Sequence, residues 1–401
     1  MVDEALARAA AGAVDAVDAD EVLTFARALI AAPSENPGGT EDEVAAVASD
    51  ILAGIGASPE TIRSDEGRPS VVASIGSQGR PSLAWNGHLD VVPVGDLSNW
   101  VHGPWAGAVE DGRLIGRGAA DMKGPVASAL AAAAAVRRAG IELAGTLTFH
   151  LAADEEHMGM YGTKVLLDRG MLVQDACIVG EPSDLRVGLA ERGGAWIVAT
   201  ARGKAAHGSQ PNLGVNAIAS MARLVLRLPE ALPDRRHPLV GRPSVNAAVI
   251  TGGSAPNVVP DHCELVIDRR TVPGETDPEA VLAPFDRLAT EIGREHPEVD
   301  LTFRLDGWTD AAEADADSDI AGSAREAIAA ERGARPTDVG FTGITDARFY
   351  INDAEIPTVI LGPGSLTVAH TANEWVLVDD LVAAARIYAR IFVGFLAART
   401  G

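Results

Sequence analysis

The chain has 401 residues, 47% of them hydrophobic, with 33 Lys+Arg against 56 Asp+Glu and a formal net charge of -23. At roughly 100–200 residues per domain this implies two or three domains with ample core, and it excludes a chain that is mostly disordered. The acidic surplus repels nucleic acid and anionic membrane, there is no basic stripe, and no apolar run approaches a membrane span, so nucleic-acid modules and membrane-spanning proteins are excluded as classes.

Met1 to Asp20 is rich in alanine and acids and carries none of the features of a signal peptide, so the cytoplasm is the expected compartment. Asp20 to Ile30 has helical periodicity, with Asp20 as the expected N-cap and Pro33 as the stop. Pro37-Gly38-Gly39 marks a loop, and Thr40 to Gly54 predicts a second helix, capped by Thr40 with Glu43 three residues on. β-type runs follow at Ser70 to Ile75 and Ser82 to Asn86, with a third at Leu114 to Gly116. Asp121 to Ala139 predicts a long packed helix, Gly145 to Ala152 a strand, Thr163 to Arg169 a helix and Ala176 to Val179 a short strand. Strands that alternate with helices imply an α/β domain with a mixed, mostly parallel sheet.

From Leu185 the pattern changes. Strands at Trp196 to Arg202, Ser244 to Ile250 and His262 to Val272 are interleaved with helices at Gly214 to Leu228 and Pro278 to Glu295, and Asp300 to Leu305 is a further strand candidate. This β-α-β-β-α-β order predicts a small split βαβ, ferredoxin-like α+β domain. The α/β pattern resumes with Ser318 to Glu331, Thr358 to Leu361 and Leu377 to Leu396. The expected division is therefore 1–184 and 304–401 for the α/β domain, interrupted by an insert over 185–303. Cys177 and Cys263 both lie in apolar strand-like runs and read as buried thiols rather than a disulfide framework.

Five segments place His, Asp or Glu just beyond an apolar run, where ligands of open α/β sheets bind. In Gly87-His88-Leu89-Asp90, the His-x-Asp spacing allows a carboxylate to orient an imidazole whose other nitrogen holds a metal; the alternative is a histidine satisfied in a turn. Asp121, after Gly116-Arg117-Gly118, is either a ligand or an N-cap. Asp154-Glu155-Glu156 puts three acids at a strand end, which calls for cations unless the turn is simply solvated. Glu181 follows the strand Ala176 to Val179, and His370 follows Gly362-Pro363-Gly364. Together they supply two histidines and several carboxylates with no thiolate, a donor set suited to two Zn²⁺ ions, with Co²⁺ or Mn²⁺ as substitutes.

The order and wording of these five segments resemble the di-zinc peptidase and deacylase family of acetylornithine deacetylase, succinyl-diaminopimelate desuccinylase, aminoacylase and carboxypeptidase G, over about Asp20 to Leu396. The resemblance implies a zinc-peptidase-like catalytic domain whose insert serves as dimerisation and lid domain. It implies that His88 and Glu181 serve one zinc, Glu156 and His370 the other, and Asp121 both. Glu155 would be the general base, Asp90 would orient His88, and the Asp121-Met122 peptide would be cis. Gly203-Lys204-Ala205-Ala206-His207-Gly208-Ser209 is similar to the family segment whose histidine reaches the active site of a partner subunit in a homodimer. Asn257, in Pro256-Asn257-Val258-Val259-Pro260, and Arg270 would meet the substrate carboxylate together with backbone donors at Gly362 and Gly364. Strand alternation lets only one of Arg269 and Arg270 face that way. The bland alternatives are a surface ion pair for Arg270 and a strand-ending or turn-capping role for His207.

The implied reaction is zinc-dependent hydrolysis of the amide bond in an N-acyl amino acid. A metallo-dipeptidase or carboxypeptidase acting on small peptides with a free C-terminal carboxylate is the alternative within the fold. A non-catalytic metal-binding relative would have lost the base or a ligand, and none of those positions is lost here.

Overall fold

The computed structural model describes residues 2–77 and 79–397, and the chain divides into two units. The first comprises Met1–Leu189, Ala314–Val339 and Thr345–Gly401; the second comprises Ala190–Glu313 and Gly340–Ile344. The expected insert limits of 185 and 303 differ from these at both ends. The strand expected at Asp300 continues to Thr309, the unit itself runs to Glu313, and a second short segment rejoins it after the helix that follows.

The first unit opens with α1 (Val2–Asp15), α2 (Ala19–Ala31) and α3 (Asp42–Gly54), followed by β1 (Glu60–Arg63), β2 (Pro69–Gly76) and β3 (Ser82–His88). Then come β4 (Ala108–Glu110), β5 (Arg113–Ile115), α4 (Lys123–Arg138), β6 (Thr146–Ala152), α5 (Thr163–Asp168), β7 (Ala176–Val179) and β8 (Gly188–Glu191). The second unit holds β9 (Gly193–Arg202), α6 (Ala217–Arg227), β10 (Ser244–Gly252), β11 (His262–Thr271), α7 (Pro278–Glu295), β12 (Asp300–Thr309) and β13 (Ala312–Glu313). The chain ends with α8 (Asp319–Arg332), β14 (Val339–Phe341), β15 (Thr358–Ile360), β16 (Trp375–Leu377) and α9 (Val378–Phe395).

In the first unit the main sheet runs β1-β2-β6-β3-β7-β15-β8. Its centre, β6-β3-β7-β15, is parallel, and both flanks are antiparallel. The period-2 alternation of β3 and β6 explains the two faces of that centre. Trp85 sits opposite Phe149 in register, and these rings meet Tyr388 and Phe392 of α9 at centroid distances of 5.8 and 6.3 Å. The next register pair, Asn86 and His150, points to the other face, where His150 Nδ1 lies 2.7 Å from the Tyr350 hydroxyl. Helix α4 is buried on every side from Lys123 to Val136, which its run of alanines permits because small side chains let helix and sheet approach closely.

Several local expectations shift. Helix α2 is capped by Asp18, not Asp20: Asp18 has extended backbone, and its carboxylate accepts from the N–H groups of Asp20 and Glu21. Helix α3 begins at Asp42 behind Glu41, whose carboxylate is taken by Arg68 and caps nothing, although Thr40 Oγ1 still accepts from Asp42 N at 3.3 Å. The run at Leu114 to Gly116 belongs not to the main sheet but to a separate three-stranded one, β16-β5-β4. Helix α1, for which the sequence offered no reading, buries Ala10 and Ala13 and packs on α9 and α4.

In the second unit, the sheet β10-β11-β9-β12 is antiparallel and carries α6 and α7. Its core joins Ile197, Ala199, Leu265 and Ile267 of the strands to Met221, Leu224, Phe285 and Leu288 of the helices. β10 is an edge strand exposed from Asn246 to Gly252, with Val249 and Ile250 more than half exposed. No described helix is long and apolar enough to cross a membrane. Cys177 and Cys263 are both free and buried.

Candidate metal centre and active site

The parallel strands β6, β3 and β7 are neighbours, and each ends on a residue type picked out above. His88 closes β3, Glu155 and Glu156 follow β6, and Glu181 follows β7. Asp121 lies just ahead of α4, and its peptide bond to Met122 is cis. It is not the helix cap; that position is Met122, which caps with no side chain. His370 comes from the loop between β15 and β16, with a left-handed φ of 62°.

These six side chains converge. His88 Nε2 lies 3.0 Å from Asp121 Oδ1, 3.6 Å from Glu181 Oε1 and 3.8 Å from Glu155 Oε2. His370 Nε2 lies 3.3 Å from Asp121 Oδ2 and 3.0 Å from Glu156 Oε2. The two oxygens of Asp121 thus face one histidine each. Donor atoms of His88, Asp121 and Glu156, and likewise of His88, Glu155 and Glu181, all fall within 4.8 Å of one another.

The electrostatics follow from burial. Burial drives the carboxyls of Glu155 and Glu181 well above their ordinary range and raises Glu156; the charge of Glu181 adds to the shift of Glu155, and that of Asp121 to the other two. Burial also pushes Asp121 up, but hydrogen bonds from His370 and His88 outweigh it and hold the carboxyl below its usual range. For His88, burial pulls down, and its bond to Asp121 with the charges of Glu155 and Glu181 overrides this, leaving it well above normal. Bonds to Asp121 and Glu156 raise half-exposed His370 to about 10. Four carboxyl groups thus outnumber two histidines in a buried space, and Glu156 Oε1 is buried with no hydrogen-bond partner. A donor set of imidazole nitrogen and carboxylate oxygen that is short of positive charge fits divalent metal ions.

The surroundings fix these groups. Glu374 is fully buried; its Oε1 accepts from the N–H groups of Ala120 (2.9 Å) and Asp121 (3.0 Å), and its Oε2 from Arg117 at 2.6 Å. Burial and the charge of Asp121 raise Glu374 to about 7. Glu374 stands in the same short segment as His370, but its partners come from Arg117 to Asp121, so its spacing alone does not single it out. Asp90 departs from its expected role. His88 Nδ1 bonds the backbone carbonyl of Asp90 at 2.8 Å, while the carboxylate is 3.6 Å away and instead accepts from the N–H groups of Glu155 and Glu156. The main chain orients the imidazole, and the carboxylate holds the loop of acids.

Gly362 is also corrected. Its N–H donates to Ser183 Oγ, its carbonyl accepts from Ser183 and Leu185, and a Cβ there would lie 2.1 Å from the Gly180 carbonyl. Glycine is required by that close approach, and its N–H is already engaged. Gly364 has a left-handed φ of 87°, and its carbonyl accepts from Asp184 N.

The other expected residues lie in the second unit. His207 is exposed, and its Nδ1 accepts from Ser209 N at 3.2 Å beside the Ser209 hydroxyl at 2.8 Å, which places the ring proton on Nε2. A bridge pairs His207 with Val258, next to Asn257, whose carbonyl accepts from Gly208 N. Arg269 and Arg270 part as strand alternation requires: Arg269 is buried against Glu275, and Arg270 is half-buried with Nε 3.0 Å from Asp268.

The sequence model of "Peptidase family M20/M25/M40" matches residues 84–393. The chain belongs to this family. It is a metal-dependent hydrolase of amide bonds. Among curated relatives it is 34% identical to the acetylornithine deacetylase of Myxococcus xanthus, over 80% of this chain and 82% of that one. It is 32% identical to the succinyl-diaminopimelate desuccinylase of Xanthobacter autotrophicus, over 93% and 99%. Solved structures of the same fold include an M20 family metallo-carboxypeptidase from Sulfolobus solfataricus (TM-score 0.78, 19% identity, 94% of this chain and 99% of that one). Human carnosine dipeptidase 1 is another (TM-score 0.78, 19% identity, 98% of each chain).

The Arg117–Glu374 pair gives a prediction. Arg117→Met strands a buried carboxylate, and breaking one side of such a pair costs about 3–5 kcal/mol. Urea unfolding followed by tryptophan fluorescence is expected to show that loss; a loss under about 1 kcal/mol would mean that Glu374 takes up a proton in place of its cation.

Proposed function

We propose that this chain is a zinc-dependent amidohydrolase that removes the acyl group from an N-acyl amino acid in the cytoplasm. The observation that carries the reading is Asp121, with one oxygen toward His88 and the other toward His370. In this reading His88, Glu181 and Asp121 hold one zinc ion, and His370, Glu156 and Asp121 hold a second. When bound, the ions lower the pKa of a water and polarise the amide carbonyl. Glu155 takes the proton of the attacking water and delivers it to the departing amine nitrogen. His207, with its proton on Nε2, donates to the oxyanion. Arg270 and Asn257 hold the carboxylate of the departing amino acid, Arg270 as a charge-assisted donor. The choice of acylated amino acid over peptide is supported by the names of the curated relatives at 32–34% identity, which are deacylases. The cytoplasmic assignment is supported by two free, buried cysteines.

We further propose that His207 acts in trans, from a homodimer formed through the second units. Support comes from the exposed edge of β10 and from exposed Leu213, Ile218, Val249 and Ile250, an apolar set suited to burial against a second copy.

Three experiments test this. The protein is expected to bind about two zinc ions per chain by elemental analysis, and Glu155→Gln to keep both while losing roughly 10²–10⁴-fold in rate on N-acetyl and N-succinyl amino acids. Loss of metal with a proportionate loss of rate would exchange the roles of Glu155 and Glu156. Mixing inactive Glu155→Gln with inactive His207→Ala subunits is expected to restore activity, since one hybrid site keeps both groups; demonstrated subunit exchange without recovery would refute the trans histidine. Arg270→Leu is expected to lower kcat/KM for substrates with a free carboxylate, with little further loss when the substrate is amidated. Equal sensitivity to amidation in mutant and wild type would make Arg270 structural.

A further inference from the structure

Asn36 lies outside every segment that the sequence singles out, yet it is 2% exposed and joined to the active-site loops. A bridge pairs Glu35 with Val91, and Asn36 N donates to the Val91 carbonyl at 2.8 Å, which zips this loop onto the chain just past His88 and Asp90. Both N–H groups of the Asn36 side chain and its oxygen are engaged. Its Nδ2 donates to Asp90 Oδ2 at 2.9 Å and to Asp154 Oδ1 at 3.1 Å, and its Oδ1 accepts from Arg68 Nη2 at 2.9 Å. These neighbours fix the orientation of the amide, because ionised carboxylates only accept and a guanidinium only donates.

Each carboxylate held by Asn36 in turn holds the backbone around Glu155 and Glu156. Asp90 accepts from the N–H groups of Glu155 and Glu156, both at 3.2 Å, and Asp154 accepts from Tyr161 N at 2.9 Å. The turn between them begins and ends on left-handed residues, Asp154 (φ 63°) and Met158 (φ 80°). Side chains other than glycine enter that region at a cost, so contacts from outside the turn must set its shape. Two carboxylates brought together would repel; an amide with two N–H donors joins them without adding charge. Arg68, ion-paired to buried Glu41 and 3.9 Å from Asp154, supplies the nearby cation.

We propose that Asn36 is a positioning residue that fixes Glu155 and Glu156 through Asp90 and Asp154, with Arg68 fixing Asn36. The inference deepens the function proposed above and rests on Glu155 as the proton carrier. Asparagine is needed because an isosteric aspartate has no donor, whereas alanine reaches neither carboxylate. A reacting group displaced by about 1 Å costs on the order of 10²-fold in rate.

The test compares wild type, Asn36→Asp and the reciprocal Asn36→Asp/Asp154→Asn variant, in which amide and carboxylate exchange places and the bond between the two positions is kept with its direction reversed. Kinetics on N-acetyl and N-succinyl amino acids at saturating Zn²⁺ are paired with absorption spectra of the Co²⁺-loaded proteins. Asn36→Asp is expected to lower kcat by roughly 10–100-fold with KM within about twofold, and to shift the cobalt bands because Glu156 moves with its loop. The reciprocal variant is expected to recover about tenfold of the lost kcat. A lower melting temperature with kcat and the cobalt spectrum unchanged would make Asn36 merely structural and overturn the proposal. If Asn36→Asp does not fold, Arg68→Met, which leaves the amide in place without the donor to its oxygen, is read by the same two measurements: a reduced kcat and shifted bands support the proposal, and no change in either overturns it. If wild type hydrolyses no N-acyl amino acid, the functional reading fails, and the cobalt spectra still decide whether Asn36 sets the loop.

Discussion

Asp121 presents one oxygen to each of two histidines, and much of the first unit is arranged to keep that carboxylate in place. Its backbone N–H and that of Ala120 are pinned by Glu374, which is pinned in turn by Arg117. Helix α4 starts immediately after it and is buried on all sides, so the turn carrying Asp121 is backed by packed core rather than solvent. Around it stand Glu155, Glu156 and Glu181. At an effective dielectric of about 20, two like charges about 4 Å apart repel by roughly 4 kcal/mol. Histidines alone cannot quench several such pairs, so the cluster is stable as an assembly of anions only with divalent cations. The sheet supplies the geometry, since β6, β3 and β7 end side by side and each delivers one part of the set.

The architecture was legible where an apolar run is bounded by turns or a helical period is sustained. Ala176–Val179 and Pro278–Glu295 coincide with the observed β7 and α7, and the β-α-β-β-α-β order of the second unit is present in β9 to β12. The pairing of the shortest strands was not legible. β4, β5 and β16 are each three residues long, too short for alternation to declare a face, so nothing local showed that the Leu114 run pairs in a sheet of its own. Caps slipped for a different reason. A cap depends on where the first helical turn begins, and Asp18 and Asp20 stand too close together for local spacing to choose between them.

The candidate site divides along the same line. His88, Asp121, Glu155, Glu156, Glu181 and His370 each sit in a short segment whose turn chemistry and residue type announce them. The groups that hold them come from afar: Arg117 and Glu374 are 257 residues apart, and Asn36 reaches Asp154 across 118. Asp90 shows the limit within a single motif. Its spacing from His88 is correct for an orienting carboxylate, but the carbonyl fills that role at 2.8 Å. This frees the carboxylate for the Glu155 loop, a choice that depends on where β6 ends relative to β3.

In the function proposed above, the two units would also divide the chemistry by charge. Every acid and histidine of the metal centre belongs to the first unit, whereas Arg270, Asn257 and His207 belong to the second. A guanidinium placed permanently among the acids of the first unit would neutralise them and compete with metal ions for the same oxygens. In that reading, keeping Arg270 on a separate unit would leave the acid cluster free to hold dications and would reserve the cation for a substrate carboxylate. His207 follows the same logic. Its Nδ1 is tied down as an acceptor within its own loop, so the remaining proton stays on Nε2. In the proposed function such a group would offer an N–H donor to a developing negative charge, with its Nδ1 lone pair engaged by Ser209 and proton abstraction left to Glu155.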